Sequence, residues 1–219
     1  MTDSELTCII PVGPQEPIPG RLIQALLDQK LSVTVSATCQ RPSEFSLDVN
    51  WISGPPGRAK QLNRGIEATS AAWLWLIHAD SDLPNEAFGA IHAFCRQANI
   101  LAIGHGHLRF SDDGPRLVKL NAWGAYVRSR WLKQPYGDQS FCMHRMLWQQ
   151  LNGFDTRLER GEDLDAVIRA RKLGATTQAL PFTVTTSARR YQSQGWLRTT
   201  INHQVKAHRL IQQAKRWQP

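Results

Sequence analysis

The sequence predicts an α/β fold in which a mostly parallel, doubly wound sheet is flanked by helices. Residues 73–77 form a short, continuously apolar run, which is typical of a strand buried on both faces. Strand-like and helix-like segments alternate from the start of the chain, as they do in parallel sheets. The 219 residues are 42% hydrophobic, which is enough for the core of one full-sized domain.

Each element follows from a local pattern. Short apolar runs predict the strands, apolar residues at helical spacing predict the helices, and Pro84 suits the first turn of a helix. The helix at 162–173 has acids in its first turn and bases in its last. In chain order, the predicted elements are strand 6–12, helix 19–30, strand 33–37, helix 57–70, strand 73–77, a helix from Pro84, strand and turn at 100–110, helix 116–132, helix 162–173, strand 182–185 and helix 196–217.

The predicted organisation is one domain at 1–195 followed by a basic amphipathic helix at 196–219. That helix either packs on the domain or contacts an anionic membrane surface. A net charge of +8 indicates anionic partners, but no nucleic-acid-binding motif is present, so nucleic acid is not expected. The polar N-terminus and the lack of an apolar run of about 20 residues predict a cytoplasmic protein, with attachment to the inner face of the membrane left open.

Two carboxylates, Asp80 and Asp82, directly follow the buried run at 73–77. Ligands of open α/β sheets bind beyond the carboxyl ends of the strands, and paired carboxylates there suit a hard cation such as Mn²⁺ or Mg²⁺. We therefore predict a metal site at Asp80 and Asp82, with Asp80 also near the donor's diphosphate. The alternative is an ordinary solvated turn after a strand, which Asp favours.

Acids also begin the helix at 162–173. Either Glu162 or Asp163 could act as a general base on an attacking alcohol, but acids also simply stabilise a helix N-terminus. The tetrapeptide 136–139 places Asp138 and Gln139 where they could contact a sugar or an acceptor hydroxyl, and the alternative is a plain turn.

Two basic segments are candidates for binding the donor's phosphates. Arg58 lies at the start of the helix at 57–70, which also carries Gln61 and Asn63, and a helix N-terminus with an arginine is an anion site. Arg189 and Arg190 follow a strand-like segment and could clamp a phosphate. In both segments the alternative is a solvated basic surface.

Together and in this order, the segments 57–65, 76–84, 136–139 with 151–154, and 161–164 with 186–190 resemble the family-2 glycosyltransferases. They are more narrowly similar to a small bacterial subfamily associated with radical-SAM and selenium-domain proteins. The resemblance implies the GT-A fold and an inverting transfer of a sugar from a UDP- or GDP-linked donor to an unknown acceptor. It matches Asp80 and Asp82 to the family's metal motif, and Asp163 to its catalytic base.

The N-terminal part departs from the family pattern. The family carries Asn-Glu after its first strand and an acidic turn after its second, whereas residues 36–42 contain no acid. Two other classes of protein are therefore kept as alternatives. One is a degenerate domain that binds an anionic membrane or nucleic acid without catalysis, and the other is a nucleotidyltransferase.

Overall fold

The structure is a computed structural model that describes residues 5–14, 16–115, 117–189, 191, 196–214 and 216–217. It contains one mixed sheet with helices on both faces, which confirms the predicted α/β fold. The strands are β1 (Leu6–Val12), β2 (Ser32–Ala37), β3 (Asn50–Ser53), β4 (Trp73–Leu76), β5 (Ser81–Asp82), β6 (Ala102–Phe110), β7 (Phe141–His144) and β8 (Thr176–Thr186).

Helices connect most of these strands. A π-helical turn, Arg128–Leu132, continues one of them, and a 3₁₀ turn, Gly137–Gln139, precedes β7. The α-helices are α1 (Gly20–Asp28), α2 (Arg58–Glu67), α3 (Glu86–Gln97), α4 (Val118–Val127), α5 (Arg145–Gln150), α6 (Glu162–Lys172) and α7 (Trp196–Ala214).

The strand order is β3-β2-β1-β4-β7-β6-β8-β5. The first four strands are parallel neighbours, so their carboxyl ends meet at one edge of the sheet. Beyond them, β7 runs antiparallel to both β4 and β6, and β5 runs antiparallel to β8. The sheet is therefore parallel in its first half and mixed in its second.

The two faces of the sheet bury separate apolar clusters because side chains alternate along each strand. Cys8 and Ile10 of β1 pack on the face covered by α1 and α3. Ile9 packs on the opposite face, against α2, α5 and α6. Gly65 allows α2 to approach the sheet, since a Cβ at this position would lie 2.7 Å from Ile9 Cγ2.

Several predicted boundaries differ from the structure. The apolar run at 73–77 forms a strand only as far as Leu76. The predicted helix 116–132 is α4 followed by the π-helical turn, and the predicted strand 182–185 belongs to the longer β8. Strands β3, β5 and β7 and helix α5 were not predicted.

The last helix packs on the domain. Ala207, Leu210 and Ala214 of α7 contact Leu164 and Ile168 of α6. Among the described residues, no helix is both long enough and apolar enough to cross a bilayer.

Candidate active site

The carboxyl edge of the parallel strands is closed by the first turns of α2. Gln61 is 3% exposed, and its amide nitrogen donates to the carbonyls of Val12, 2.7 Å away, and Ser36, 2.9 Å away. Arg64 donates to the carbonyl of Ala37 at 3.0 Å. These side chains tie the ends of β1 and β2 to α2 and so fix the position of the helix N-terminus.

Asn63 also bonds within the fold. Its amide nitrogen donates to the carbonyl of Phe154, and its oxygen accepts from the backbone nitrogen of Phe154 and from Nε1 of Trp148. It therefore positions the 151–154 segment. The contacts of both Gln61 and Asn63 are with other residues of the protein. Their predicted roles in donor binding stay predictions.

Arg58, at the start of α2, reaches across the edge towards two other segments. Its Nη1 lies 2.9 Å from Nδ1 and 2.8 Å from Nε2 of His78, which lies two residues beyond the end of β4. Its Nε lies 3.9 Å from Oε1 of the buried Glu162. The guanidinium therefore links the loop carrying Asp80 to the N-terminus of α6.

Gly137 brings the 3₁₀ turn against the same group. Its backbone nitrogen donates to Oδ2 of Asp163, whose Oδ1 accepts from the backbone nitrogen of Leu164. A Cβ at Gly137 would lie 3.0 Å from Nε2 of His78 and 3.1 Å from Oδ2 of Asp163. Only glycine leaves this gap open, and the two backbone donors fix the orientation of the Asp163 carboxylate.

Two carboxyl groups of the site have raised pKa values. Burial, and then the charge of Asp163, raise the pKa of Glu162 to about 7, and the nearby Arg58 partly offsets them. Burial also raises the pKa of Asp138 to about 6, with the charges of Asp163 and Asp80 acting in the same direction. Gly137, which directly precedes Asp138, donates to Asp163 and lies against His78, so the 3₁₀ turn, the N-terminus of α6 and the loop after β4 meet.

Asp80 and Asp82 occupy different positions at this edge. Both are exposed, but Asp80 lies in the turn after β4, whereas Asp82 lies in β5 and pairs with Thr185 of β8. Ser81 between them is buried. The described residues contain no cluster of three or more His, Cys, Asp or Glu side chains arranged to hold a metal.

A divalent cation is nevertheless compatible with the chemistry of these residues. Carboxylate oxygens are the donors that Mn²⁺ and Mg²⁺ prefer, and such sites often take only one or two protein carboxylates plus substrate phosphates. In addition, Oδ1 of Asp138 is buried without a hydrogen-bond partner within the described part of the chain. A buried carboxylate oxygen of this kind calls for a cation or a donor from a ligand.

The remaining predicted residues are Gln139, Arg189 and Arg190. Gln139 is 1% exposed and bonds to the carbonyl of Gly106, so its side chain lies inside the fold. Arg189 is exposed and paired with Asp113 at 3.2 Å, on the β8 side of the sheet. Arg190 lies outside the described residues.

Sequence reasoning missed several residues around the acids. His78 was not among the predicted site residues, and it contacts Arg58. Arg128 stacks on the ring of Tyr136, 3.4 Å from its centroid, and its charge lowers the pKa of Asp138. Asp113 accepts hydrogen bonds from Ser187 and from the backbone nitrogen of Ala188, so it anchors the segment that follows β8. The only sequence indication of Arg128 was its place in a basic helix.

Comparison with known proteins places this fold. No protein-family model and no curated protein matches the sequence. Among solved structures, residues 1–349 of S. aureus TarS in complex with UDP match with a TM-score of 0.58 at 14% identity, over 84% of this chain and 60% of that one. TarS in complex with UDP-GlcNAc matches with a TM-score of 0.55.

A second protein gives the same result. The mannosyltransferase PcManGT from Pyrobaculum calidifontis, in complex with GDP-Man and Mn²⁺, matches with a TM-score of 0.57 at 16% identity, over 83% of this chain. This chain spans about 60% of the TarS structures and 56% of PcManGT. The matches show that the chain has a GT-A-like glycosyltransferase fold. Residues of four segments meet at the carboxyl edge of that fold: Arg58, His78, Asp80, Asp138, Glu162 and Asp163.

Proposed function

We propose that this protein is an inverting, metal-dependent glycosyltransferase that moves a sugar from a UDP- or GDP-linked donor to a hydroxyl group of an acceptor. The observation that carries the proposal is the convergence of three acidic segments at the carboxyl edge of β4: Arg58 contacts His78 and Glu162, and Gly137 donates to Asp163. Ligands of open α/β sheets bind at this edge. The TarS complexes with UDP and UDP-GlcNAc, and the PcManGT complex with GDP-Man and Mn²⁺, support this class of donor.

In the proposed reaction, the acceptor oxygen forms a bond to the anomeric carbon while the bond from that carbon to the diphosphate breaks. The acceptor proton passes to the carboxylate of Asp163, whose orientation is fixed by the backbone nitrogens of Gly137 and Leu164. Mn²⁺ or Mg²⁺, held by Asp80 and Asp82, would neutralise the leaving diphosphate.

Neighbouring groups support these roles. Glu162, with its pKa raised to about 7, keeps its proton below that pH, and its neutral form avoids a second negative charge beside Asp163. Asp138, whose buried Oδ1 has no hydrogen-bond partner among the described residues, is the candidate contact for a sugar or acceptor hydroxyl. Arg58 and Arg189 are the candidate cations for the diphosphate, with Gln61 and Asn63 keeping the N-terminus of α2 in place.

The test is the release of UDP or GDP from a panel of nucleotide sugars, with water as the acceptor. Wild-type protein with Mn²⁺ should release one of the two nucleotides. Asp163→Asn should reduce the rate by about 10² to 10⁴, the usual contribution of a general base. Asp48→Asn is a matched control, because Asp48 is exposed and precedes β3 at the opposite edge of the sheet.

Two results would contradict the proposal. Release from no donor by the wild-type protein would remove the support for transfer. Release by Asp163→Asn at the wild-type rate would show that another group takes the proton, and Glu162 would then be the next residue to replace.

A further inference from the structure

The outward side of α4 and its π-helical continuation is apolar. The inward side is buried through Val118 and Ala125. On the outward side, Leu120 is 57% exposed, Trp123 67% and Trp131 75%. Leu117, Tyr126 and Leu132 are about half exposed at its margins. We call these six residues the α4 surface: Leu117, Leu120, Trp123, Tyr126, Trp131 and Leu132.

Six exposed large apolar side chains within 16 residues are unusual for a soluble protein. Single exposed apolar residues are normal, but a contiguous patch usually marks an interaction site. The patch also extends towards α7, because Nε1 of Trp196 donates to Asn121 of α4 at 2.6 Å and the neighbouring Leu197 is 61% exposed. By contrast, Ile100 and Met146 are isolated exposed residues on other elements.

The charged residues of α4 and its π-helical continuation have one sign. The sequence contains no Asp or Glu between Asp113 and Asp138, while it contains five Lys or Arg residues there. Lys119, Arg130 and Lys133 are exposed. No acid follows Asp165 either, so α7 adds only positive charge.

Aromatic residues among lysines and arginines fit one environment in particular. Trp and Tyr favour the boundary between lipid head groups and acyl chains, where the ring is buried and its polar edge stays hydrated. Lys and Arg extend from such a surface to anionic head groups. We propose that the α4 surface lies on an anionic phospholipid membrane, with Trp123 and Trp131 inserted at the head-group level.

The proposed membrane contact is α4, whereas the sequence had left membrane contact open as one of two alternatives for the C-terminal helix. The proposed contact does not depend on the proposed activity, since it rests on exposure and charge alone. It does have a consequence for the site, because Arg128 extends from the same stretch of helix onto Tyr136 and its charge acts on Asp138. An acceptor held in the membrane would therefore be presented next to the acids.

The first experiment is flotation of the full chain with vesicles of phosphatidylcholine alone or mixed with phosphatidylglycerol. Wild-type protein should float with the anionic vesicles, and brominated lipids should quench its tryptophan fluorescence. The double variant Trp123→Ala/Trp131→Ala should lose binding about tenfold or more, because it removes the buried aromatic area. The matched control, Ile100→Ala/Met146→Ala, removes exposed apolar residues elsewhere and should bind like the wild type.

A second pair of variants tests the charge. Arg130→Glu should weaken binding to anionic vesicles about tenfold or more, and Arg21→Glu, an exposed change on α1, should weaken it much less. All four variants change exposed residues, and circular dichroism will confirm that each is folded.

Three outcomes would overturn the proposal. The first is that wild-type protein does not float with anionic vesicles at low salt. The second is that the tryptophan double variant binds as well as the wild type. The third is a dimer, detected by light scattering without vesicle binding, that the tryptophan double variant dissociates; the α4 surface would then join two copies of this chain.

Discussion

Replacement of Glu162 by Gln should change how the stability of the protein depends on pH. Glu162 is 3% exposed, lies beside Asp163, and has Arg58 as its nearest cation at 3.9 Å. Its pKa is about 7 in the folded protein against an ordinary value of 4.5. That difference corresponds to about 3 kcal/mol of free energy of unfolding.

The sign follows from which state binds the proton. Between pH 4.5 and 7 the folded protein keeps a proton on Glu162 that the unfolded chain releases. The contribution of this group to stability is therefore present at low pH and is lost as the pH rises through 7. Glu162→Gln cannot ionise, so relative to the wild type it should gain about 3 kcal/mol between pH 4.5 and pH 8.

Urea unfolding at both pH values measures this difference. Asp138 titrates in both proteins, so its effect cancels in the comparison. Glu67→Gln, an exposed change at the end of α2, is the control and should follow the wild type. If Glu162→Gln loses stability between the two pH values as the wild type does, the carboxyl group is not held neutral by burial and our reasoning about Glu162 is wrong.

Two further predictions concern packing. Gly65→Ala should lower the free energy of unfolding by about 1–3 kcal/mol, because its Cβ would lie 2.7 Å from Ile9 Cγ2. The control is Gly124→Ala, whose Cβ would meet no atom within 4 Å, and it should leave the free energy of unfolding unchanged or raise it by up to about 1 kcal/mol. Equal effects of the two variants in urea unfolding would refute the close contact at Gly65. In the wild type, Arg169 pairs with Asp165 at 2.7 Å, and both side chains are buried. Arg169→Met should lower the free energy of unfolding by about 3–5 kcal/mol, because it leaves the buried Asp165 carboxylate without its partner. The double variant Asp165→Leu/Arg169→Met should recover part of that loss. If it recovers none, the loss is not caused by a buried, unpaired charge on Asp165.

The parts of the fold that were predicted correctly depend on local patterns. The strand at β1 and the helix α6 each have an apolar pattern or terminal charges that need no distant partner. Strand β7 has neither, because its four residues run directly into α5 and its place between β4 and β6 is set by long-range pairing. The antiparallel half of the sheet was for this reason absent from the prediction.

The site shows the same division. The sequence predicted Asp80, Asp138 and Asp163 as site residues, and the segments that carry them meet around Arg58 and Gly137. The sequence did not predict that the side chain of Gln61 bonds the carbonyls at the ends of β1 and β2. A hint was available, because Gln61 is four residues before Gly65 and so lies on the face of α2 that packs against the sheet. The contact of Arg58 with His78 joins α2 to the loop after β4, and no local sequence pattern indicates it.

The measurement that tests the central claim most directly is calorimetric titration of UDP and GDP into the protein, with Mn²⁺ and with EDTA. The account predicts that one nucleotide binds the wild type and Asp48→Asn with Mn²⁺. It also predicts that binding weakens about tenfold or more with EDTA or in Asp82→Asn. Binding of neither nucleotide, or equal binding by Asp82→Asn with and without metal, would contradict a metal-dependent nucleotide-sugar site at the carboxyl edge of β4.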